Sequence, residues 1–280
     1  MVWKIDKTTR DVLFLASELF GHHRNQLWIA RMKIAFIRQR FAAFGGAERY
    51  MNLLIEHLAA RGHEIHVLAN QWENIAASKN VTWHRVPMVR SLSFLRALSF
   101  ALNCRKAVQR ENFDLVISLD RTLQQDIYRS ADGCHREFFL RRLQFASPWR
   151  RIRLRLNPLH YVLLWLEKNT YSPKNTRAVI ALSHRVKTEI IRHYHFPAEQ
   201  IYPIHNGVDL ERFKLNPPRK ETGKFVLLFV GSGFERKGLQ FCIKALAQLP
   251  ANVELHVVGK GSIGLYQRLA EKLGVASRVI

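Results

Sequence analysis

Two adjacent cations, Arg236 and Lys237, stand inside a glycine-rich run, Val230-Gly231-Ser232-Gly233-Phe234-Glu235-Arg236-Lys237-Gly238. An apolar, strand-like stretch precedes it and a helix-like stretch follows, so backbone N–H donors and both side chains would gather around one point. That arrangement suits a departing diphosphate, neutralised by fixed cations and aligned donors. Cations at a helix start oppose the helix dipole, and a bound anion would relieve that conflict. The same residues also read as a solvated basic turn. A second run, Phe44-Gly45-Gly46-Ala47-Glu48-Arg49, directly follows an apolar strand. Its paired glycines, Gly45 and Gly46, let the backbone approach a ligand closely, and the next helix offers free N–H groups to an anion or sugar hydroxyl. Its spacing fits neither a dinucleotide fingerprint nor a Walker A loop, and a Gly-Gly pair here also serves as an ordinary turn. The third run, Asn206-Gly207-Val208-Asp209, is an Asn-Gly turn or, beside a linker, part of the lining of an inter-domain cleft.

The elements that must position these runs alternate between short apolar strands and amphipathic helices from residue 33 onward. Strands are expected at 33–37, 64–69, 82–86, 114–119 and 179–182. Helices are expected at 47–61, with Gly62 at its C-cap, at 94–110, and from 183 to a point before Pro197. Residues 210–223 carry Lys, Arg, Asn and the Pro217-Pro218 pair and read as a linker. The pattern restarts with strand 225–230, helix 239–249, strand 253–258 and helix 262–273, and a third strand begins at 278–280. Such alternation predicts an α/β protein with parallel sheets. The organisation expected is a 1–31 extension ahead of a second start-like Met32, a nearly complete Rossmann-like domain at 32–209, the linker, and the first half of a second domain at 224–280.

Composition narrows the partners. The chain has 280 residues, 48% hydrophobic and 24% charged, which excludes disordered and collagen-like classes. A net charge of +22 calls for an anionic partner: nucleic acid, a membrane face or phosphorylated substrates. Between residues 136 and 155, Arg136, Arg141, Arg142, Arg150, Arg151, Arg153 and Arg155 interleave with Phe138, Phe139, Phe145, Trp149 and Ile152. This mixture suits an anionic membrane interface; it also suits single-stranded nucleic acid, or a solvated helix with a core-facing stripe. No helix-turn-helix, zinc-finger or RNA-recognition signature accompanies it, so no nucleic-acid partner is expected. Cys104, Cys134 and Cys242 lack metal-ligand spacing and fit a reducing compartment. The apolar run at 12–16 is too short to span a bilayer, and no signal-peptide cleavage site follows it.

Taken in order, the FGGAER turn, the RGHEIHVLA strand entry, NGVD, the VGSGFERKG turn and LAEKLGV resemble glycosyltransferase family 4, from Met32 to Ile280. Within it they resemble the glucosyltransferases of the lipopolysaccharide core. The resemblance implies the two-domain GT-B fold and a retaining transfer of a hexose from a nucleotide diphosphate sugar, UDP-glucose, to a lipid-linked saccharide. It places Gly45, Gly46, Asn206, Gly231, Arg236 and Lys237 around the donor, with the two cations doing the work of a metal, so that no cofactor is needed. It makes Asp132 the acidic catalytic residue and His135 a contact of the donor sugar. Arg141, Arg142, Trp149, Arg150 and Arg151 would touch an anionic membrane, giving a cytoplasmic enzyme peripheral on the inner face of the cytoplasmic membrane. The family's pair of glutamates in the second domain would lie beyond Ile280, so the alternative is an inactive remnant that folds and docks on membranes.

Overall fold

The computed structural model describes residues 31–41, 46–72, 81–207 and 223–280, and the side chains of residues 46–49 lie outside that description. The extension at 1–30, Gly45 and most of the 210–223 linker therefore fall outside the described residues. The chain divides into two compact units, Met1–Asp209 and Leu210–Ile280.

The first unit is built on a seven-stranded, wholly parallel sheet. Its strands are β1 (Lys33–Ile37), β3 (Glu64–Ala69), β5 (Val81–Arg85), β6 (Leu115–Ser118), β7 (Ile127–Ser130), β8 (Ala178–Ala181) and β9 (Ile201–Pro203), in spatial order β5-β3-β1-β6-β7-β8-β9. Alternation along β1 shows how both faces are covered. Ile34 and Phe36 pack with Met51, Leu54 and Leu58 of helix α1 (Gly46–Ala59). Ala35 and Ile37 pack with Phe100, Cys104 and Val108 of helix α2 (Ser93–Arg110) on the opposite face. A strand buried on both faces must read as a continuous apolar run, which is why KIAFI was legible as a strand. Each fully buried side chain of this kind stabilises the fold by roughly 1.5–3 kcal/mol.

After β7 the chain forms α3 (His135–Phe145), α4 (Pro148–Leu156) and α5 (Pro158–Thr170). Proline has no N–H to donate, so Pro148 and Pro158 each open a helix and separate it from its predecessor. Asn157 Oδ1 caps α5 by accepting from the Leu159 N–H at 3.0 Å. Helix α6 (His184–Tyr194) starts under Ser183, whose Oγ accepts from the Val186 N–H at 3.2 Å, and ends at a left-handed His195. A two-residue parallel pair, β2 (Arg40–Phe41) with β4 (Gln71–Trp72), lies outside the main sheet, one strand after β1 and the other after β3.

The second unit pairs β10 (Phe225–Val230) with β11 (Val253–Val258) in parallel. Short helix α7 (Phe234–Lys237) and helix α8 (Leu239–Leu246) form the crossover, and α9 (Ile263–Lys272) follows β11. Phe234, Leu239, Ile243, Leu255 and Tyr266 make its core. The third strand expected at 278–280 is one parallel bridge, Leu255 to Val279, entered through a single 3-10 turn at Ala276–Arg278.

Candidate active site

Along the parallel sheet, β1 lies between β3 and β6. Chain connections therefore depart in opposite directions from the C-terminal ends of β1 and β6, which opens a crevice there. Arg38 follows β1 and Asp120 follows β6. Arg38 Nη1 lies 3.0 Å from Asp120 Oδ1, and the Gln39 backbone N–H donates to Asp120 Oδ2 at 2.5 Å. The Asp120 loop is braced in turn by Ser118 Oγ, which donates to the Asp120 carbonyl at 2.7 Å.

Asp132 stands on the turn between β7 and α3, exposed to solvent. Gly133 follows with φ +72°, a left-handed conformation that glycine adopts without strain. The α3 shoulder of this turn is tied to Glu167 of α5, a carboxylate with no exposed surface. The N–H groups of His135 and Arg136 donate to its two oxygens at 2.6 and 3.0 Å, so Glu167 caps the start of α3. Arg121 Nε donates to Glu167 Oε1 at 3.1 Å, while its Nη2 reaches the Gly133 carbonyl at 3.4 Å. The Tyr194 hydroxyl donates to Glu167 Oε2. His135 itself is half-buried, with Nε2 3.0 Å from His160 Nδ1 and the two rings stacked. Burial, with the positive Arg121 nearby, pushes the His135 pKa down to about 4, so the ring is neutral at pH 7.

Asn206 follows β9 and is exposed; its Oδ1 accepts from Arg129 Nη2 at 2.5 Å. This bond joins the ends of β7 and β9 across the intervening β8. Asp132 and Asn206 are thus brought to one edge of the sheet, whereas Gly46 is the first residue of α1.

In the second unit the glycine-rich run is partly helical. Gly231 leaves β10, Gly233 (φ +76°) and Gly238 (φ +82°) bracket α7, and Arg236 and Lys237 are exposed on that single turn. The turn is fastened to the one that follows β11. The Gly231 N–H donates to the Val258 carbonyl and the Gly233 N–H to the Lys260 carbonyl, each at 2.8 Å. Gly259 is required here: a Cβ on it would lie 2.1 Å from the Gly231 carbonyl oxygen. Lys260 therefore joins Arg236 and Lys237 on the C-terminal edge of the β10–β11 pair.

The basic segment forms α3 and α4. Phe145 and Trp149 are each 83% exposed and Leu156 76%, an apolar fringe set among arginines. Arg141 pairs with Glu137 at 2.7 Å, and Arg142 lies over the Phe138 ring. Arg151 donates to the carbonyls of Leu143 and Gln144, tying α4 back to α3, while Arg150 is exposed. Among the described residues, no helix is long and apolar enough to cross a membrane, and no group of three or more metal-ligating side chains occurs.

The two α/β units, with a doubly wound parallel sheet in the first and a glycine-rich turn at a strand end in the second, are those of a GT-B fold, as the likeness to solved glycosyltransferases shows. Residues 44–212 match the profile of "Glycosyltransferase Family 4", and the chain belongs to that family. It is 28% identical over 266 residues to the lipopolysaccharide glucosyltransferase WaaG of Escherichia coli, covering 89% of this chain and 68% of the relative. It is 26% identical to the lipopolysaccharide 1,6-galactosyltransferase of Salmonella typhimurium, over 89% of this chain and 67% of that protein. The crystal structure of WaaG superposes with a TM-score of 0.72 at 27% identity, covering 88% of this chain and 69% of that one. Anabaena HepE, solved in complex with UDP-glucose, shares the fold at 18% identity with a TM-score of 0.58, covering 89% and 68% of the two chains.

Four groups at these strand ends escaped sequence reasoning: Arg38, Asp120, Arg129 and Lys260. Asp120 had a usable signal, an acid two residues beyond a buried strand. Arg129 had none, because a charged residue inside IYRS argues against a buried strand.

Proposed function

We propose that this chain transfers glucose from UDP-glucose to a lipopolysaccharide-core or related glycolipid acceptor, with retention at the anomeric carbon. The observation that carries the reading is the glycine-rich turn of the second unit. There Arg236, Lys237 and the backbone around Gly231 crowd one strand end, on a chain whose relatives include a lipopolysaccharide glucosyltransferase and a lipopolysaccharide galactosyltransferase. In this reading residues 224–280 hold the donor, and residues 32–209 hold the acceptor and supply Asp132.

The chemistry follows from the charges. The bond between the anomeric carbon and the diphosphate breaks, and its electron pair leaves on phosphate oxygen. Arg236 and Lys237 neutralise that developing charge, the work a divalent cation does elsewhere. The acceptor oxygen bonds to the anomeric carbon on the face the phosphate leaves, and its proton passes to the departing phosphate. Asp132 stabilises the positive charge that grows on the sugar, and Gly45, Gly46 and Asn206 sit against the donor. His135, neutral and hydrogen-bonded to His160, contacts the sugar through its remaining surface.

The acceptor is lipid-linked, and the exposed Phe145, Trp149 and Leu156 among arginines support docking on an anionic membrane face, with Arg141, Arg142, Arg150 and Arg151 near the headgroups. The test is a thermal-shift titration with UDP-glucose, UDP and other nucleotide sugars, on the wild type and on Arg236→Ala/Lys237→Ala. Ligand at 100 times Kd adds about 2.7 kcal/mol to folding stability. The expected result is a uridine-specific shift that the double variant loses. A folded chain that no nucleotide shifts would overturn the donor assignment and favour a membrane-docking remnant.

A further inference from the structure

Arg129 is the largest fully buried side chain among the described residues, 2% exposed at the C-terminal end of β7. Its partners are few. Asn206 Oδ1 accepts from Nη2 at 2.5 Å, and the Tyr50 ring lies under the guanidinium, 3.7 Å from its centre. Nε and Nη1 are buried without a hydrogen-bond acceptor, and no carboxylate among the described residues is ion-paired with the group. Tyr50 is the main group that favours its charge, Asp132 acts on it only weakly, and Arg38 adds like charge. Burial lowers its proton affinity, yet guanidinium stays charged at any physiological pH.

Such a group is unfavourable in the free protein. A buried charge with unmade donors weakens folding, and chains keep one where something beyond the chain completes it. The surroundings say from which side. Asn206, which holds Nη2, is exposed, as is Asp132 two residues beyond the β7 end, so the solvent side of the guanidinium is the strand-end edge. A planar fork with donors left over matches the two oxygens of a phosphate or a carboxylate.

We propose that Arg129 is an oxyanion receptor in the acceptor subsite: Nη1, and the Nη2 hydrogen now held by Asn206, receive a phosphate or carboxylate carried by the acceptor saccharide. This rests on the reading that the first unit holds the acceptor. It adds a requirement for negative charge on that acceptor, and gives Asn206, besides its place against the donor, the part of a latch that occupies the fork until the anion arrives.

The experiment uses the full chain, titrated with inorganic phosphate and separately with acetate, at ionic strength held constant with chloride and followed by thermal shift and calorimetry. The expected result is saturable stabilisation by one of the two anions, which also names the class of group. Arg129→Gln should lose at least ten-fold in that affinity, and Asn206→Ala should keep or tighten it. Arg129→Met, without ligand, should melt at or above the wild type, as removal of an uncompensated buried charge predicts. Arg236→Ala/Lys237→Ala should retain the anion shift even as it loses the UDP-glucose shift, so the two proposals fail separately. The proposal is overturned if neither anion stabilises the wild type, or if Arg129→Gln binds as the wild type does. Loss of the anion shift in Arg236→Ala/Lys237→Ala, or an Arg129→Met protein that melts well below the wild type, would also overturn it.

Discussion

The backbone N–H of His135 donates to Glu167 Oε1 at 2.6 Å, linking positions 32 residues apart. With the Arg136 N–H on the other oxygen and Arg121 alongside, one buried carboxylate fixes both the start of α3 and the turn that carries Asp132. Replacing it by an amide leaves Arg121 without its ionic partner, one helix N–H with a weaker acceptor and the other facing an NH2 that cannot accept. Glu167→Gln, which keeps the shape, should destabilise the protein by about 3–5 kcal/mol, the range for breaking a buried ion pair. Urea denaturation measures it; a loss under about 0.5 kcal/mol would mean the carboxylate is not the tie described.

KIAFI at β1 was legible from sequence because burial on both faces forces a continuous apolar run, and FVLLFV at β10 was legible by the same run and matches its expected bounds, although Phe225, Leu228 and Val230 are exposed in the structure. The β7 strand was not, because its run contains Arg129 and Ser130, and the energetic reason for burying an arginine lies in residues remote in sequence. The three-residue β9 is too short to carry a period. Glycine-rich turns were visible as local chemistry, and among the described residues the Gly231–Gly238 turn lies at a strand end as expected. What the sequence hides is pairing across distance. Arg38 and Asp120 are 82 positions apart and meet only because the sheet order reverses between their strands. Glu167 reads as an unremarkable polar position in an apolar helix, PLHYVLLWLEKNT, until the fold turns it inward.

Asp120 couples the loops after β1 and β6, and its side chain is about one-quarter exposed, at 28%. Asp120→Asn keeps one acceptor oxygen but discards the charge opposite Arg38. Hydrogen bonds to charged groups contribute about 1.5–3 kcal/mol, and the partial exposure places the expected loss in stability near the lower end. Because the second unit holds the donor in the proposed reading, the UDP-glucose thermal shift should be unchanged while glucosyl transfer falls. A variant whose donor shift collapses together with transfer would contradict that division of labour.

His135 supplies a pH dependence whose sign is definite. Its pKa is about 4 in the folded protein, against about 6.5 in an unfolded chain. Between those values the unfolded chain takes up a proton that the folded one refuses. The contribution to stability is therefore complete above pH 6.5 and is lost as the pH falls toward 4. His63, His84 and His160 are shifted in the same direction, so the wild type should lose stability across this window from several sites. His135→Gln cannot titrate and should show a shallower fall in urea midpoint from pH 7 to 4.5. Parallel curves for the two proteins would show that the ring is not held neutral.

Membrane docking separates the arginines of α3 and α4 by what each already holds. Arg151 ties the two helices through the Leu143 and Gln144 carbonyls, so Arg151→Ala should lower the melting temperature. Trp149, 83% exposed, holds nothing comparable: Trp149→Ser should leave melting unchanged and weaken binding to vesicles containing anionic lipid. Each basic residue near such a surface contributes about 1 kcal/mol, roughly a five-fold change in partitioning. Arg150→Ala should therefore weaken binding by about that factor at low salt and by less at high salt, since surface charge is screened. The loss from Trp149→Ser should be nearly insensitive to salt, because burial of an indole in the interface is apolar rather than coulombic. Flotation with vesicles at two salt concentrations measures both. Equal salt sensitivity for the two variants would mean that Trp149 stays out of the bilayer and that charge alone brings the chain to the surface.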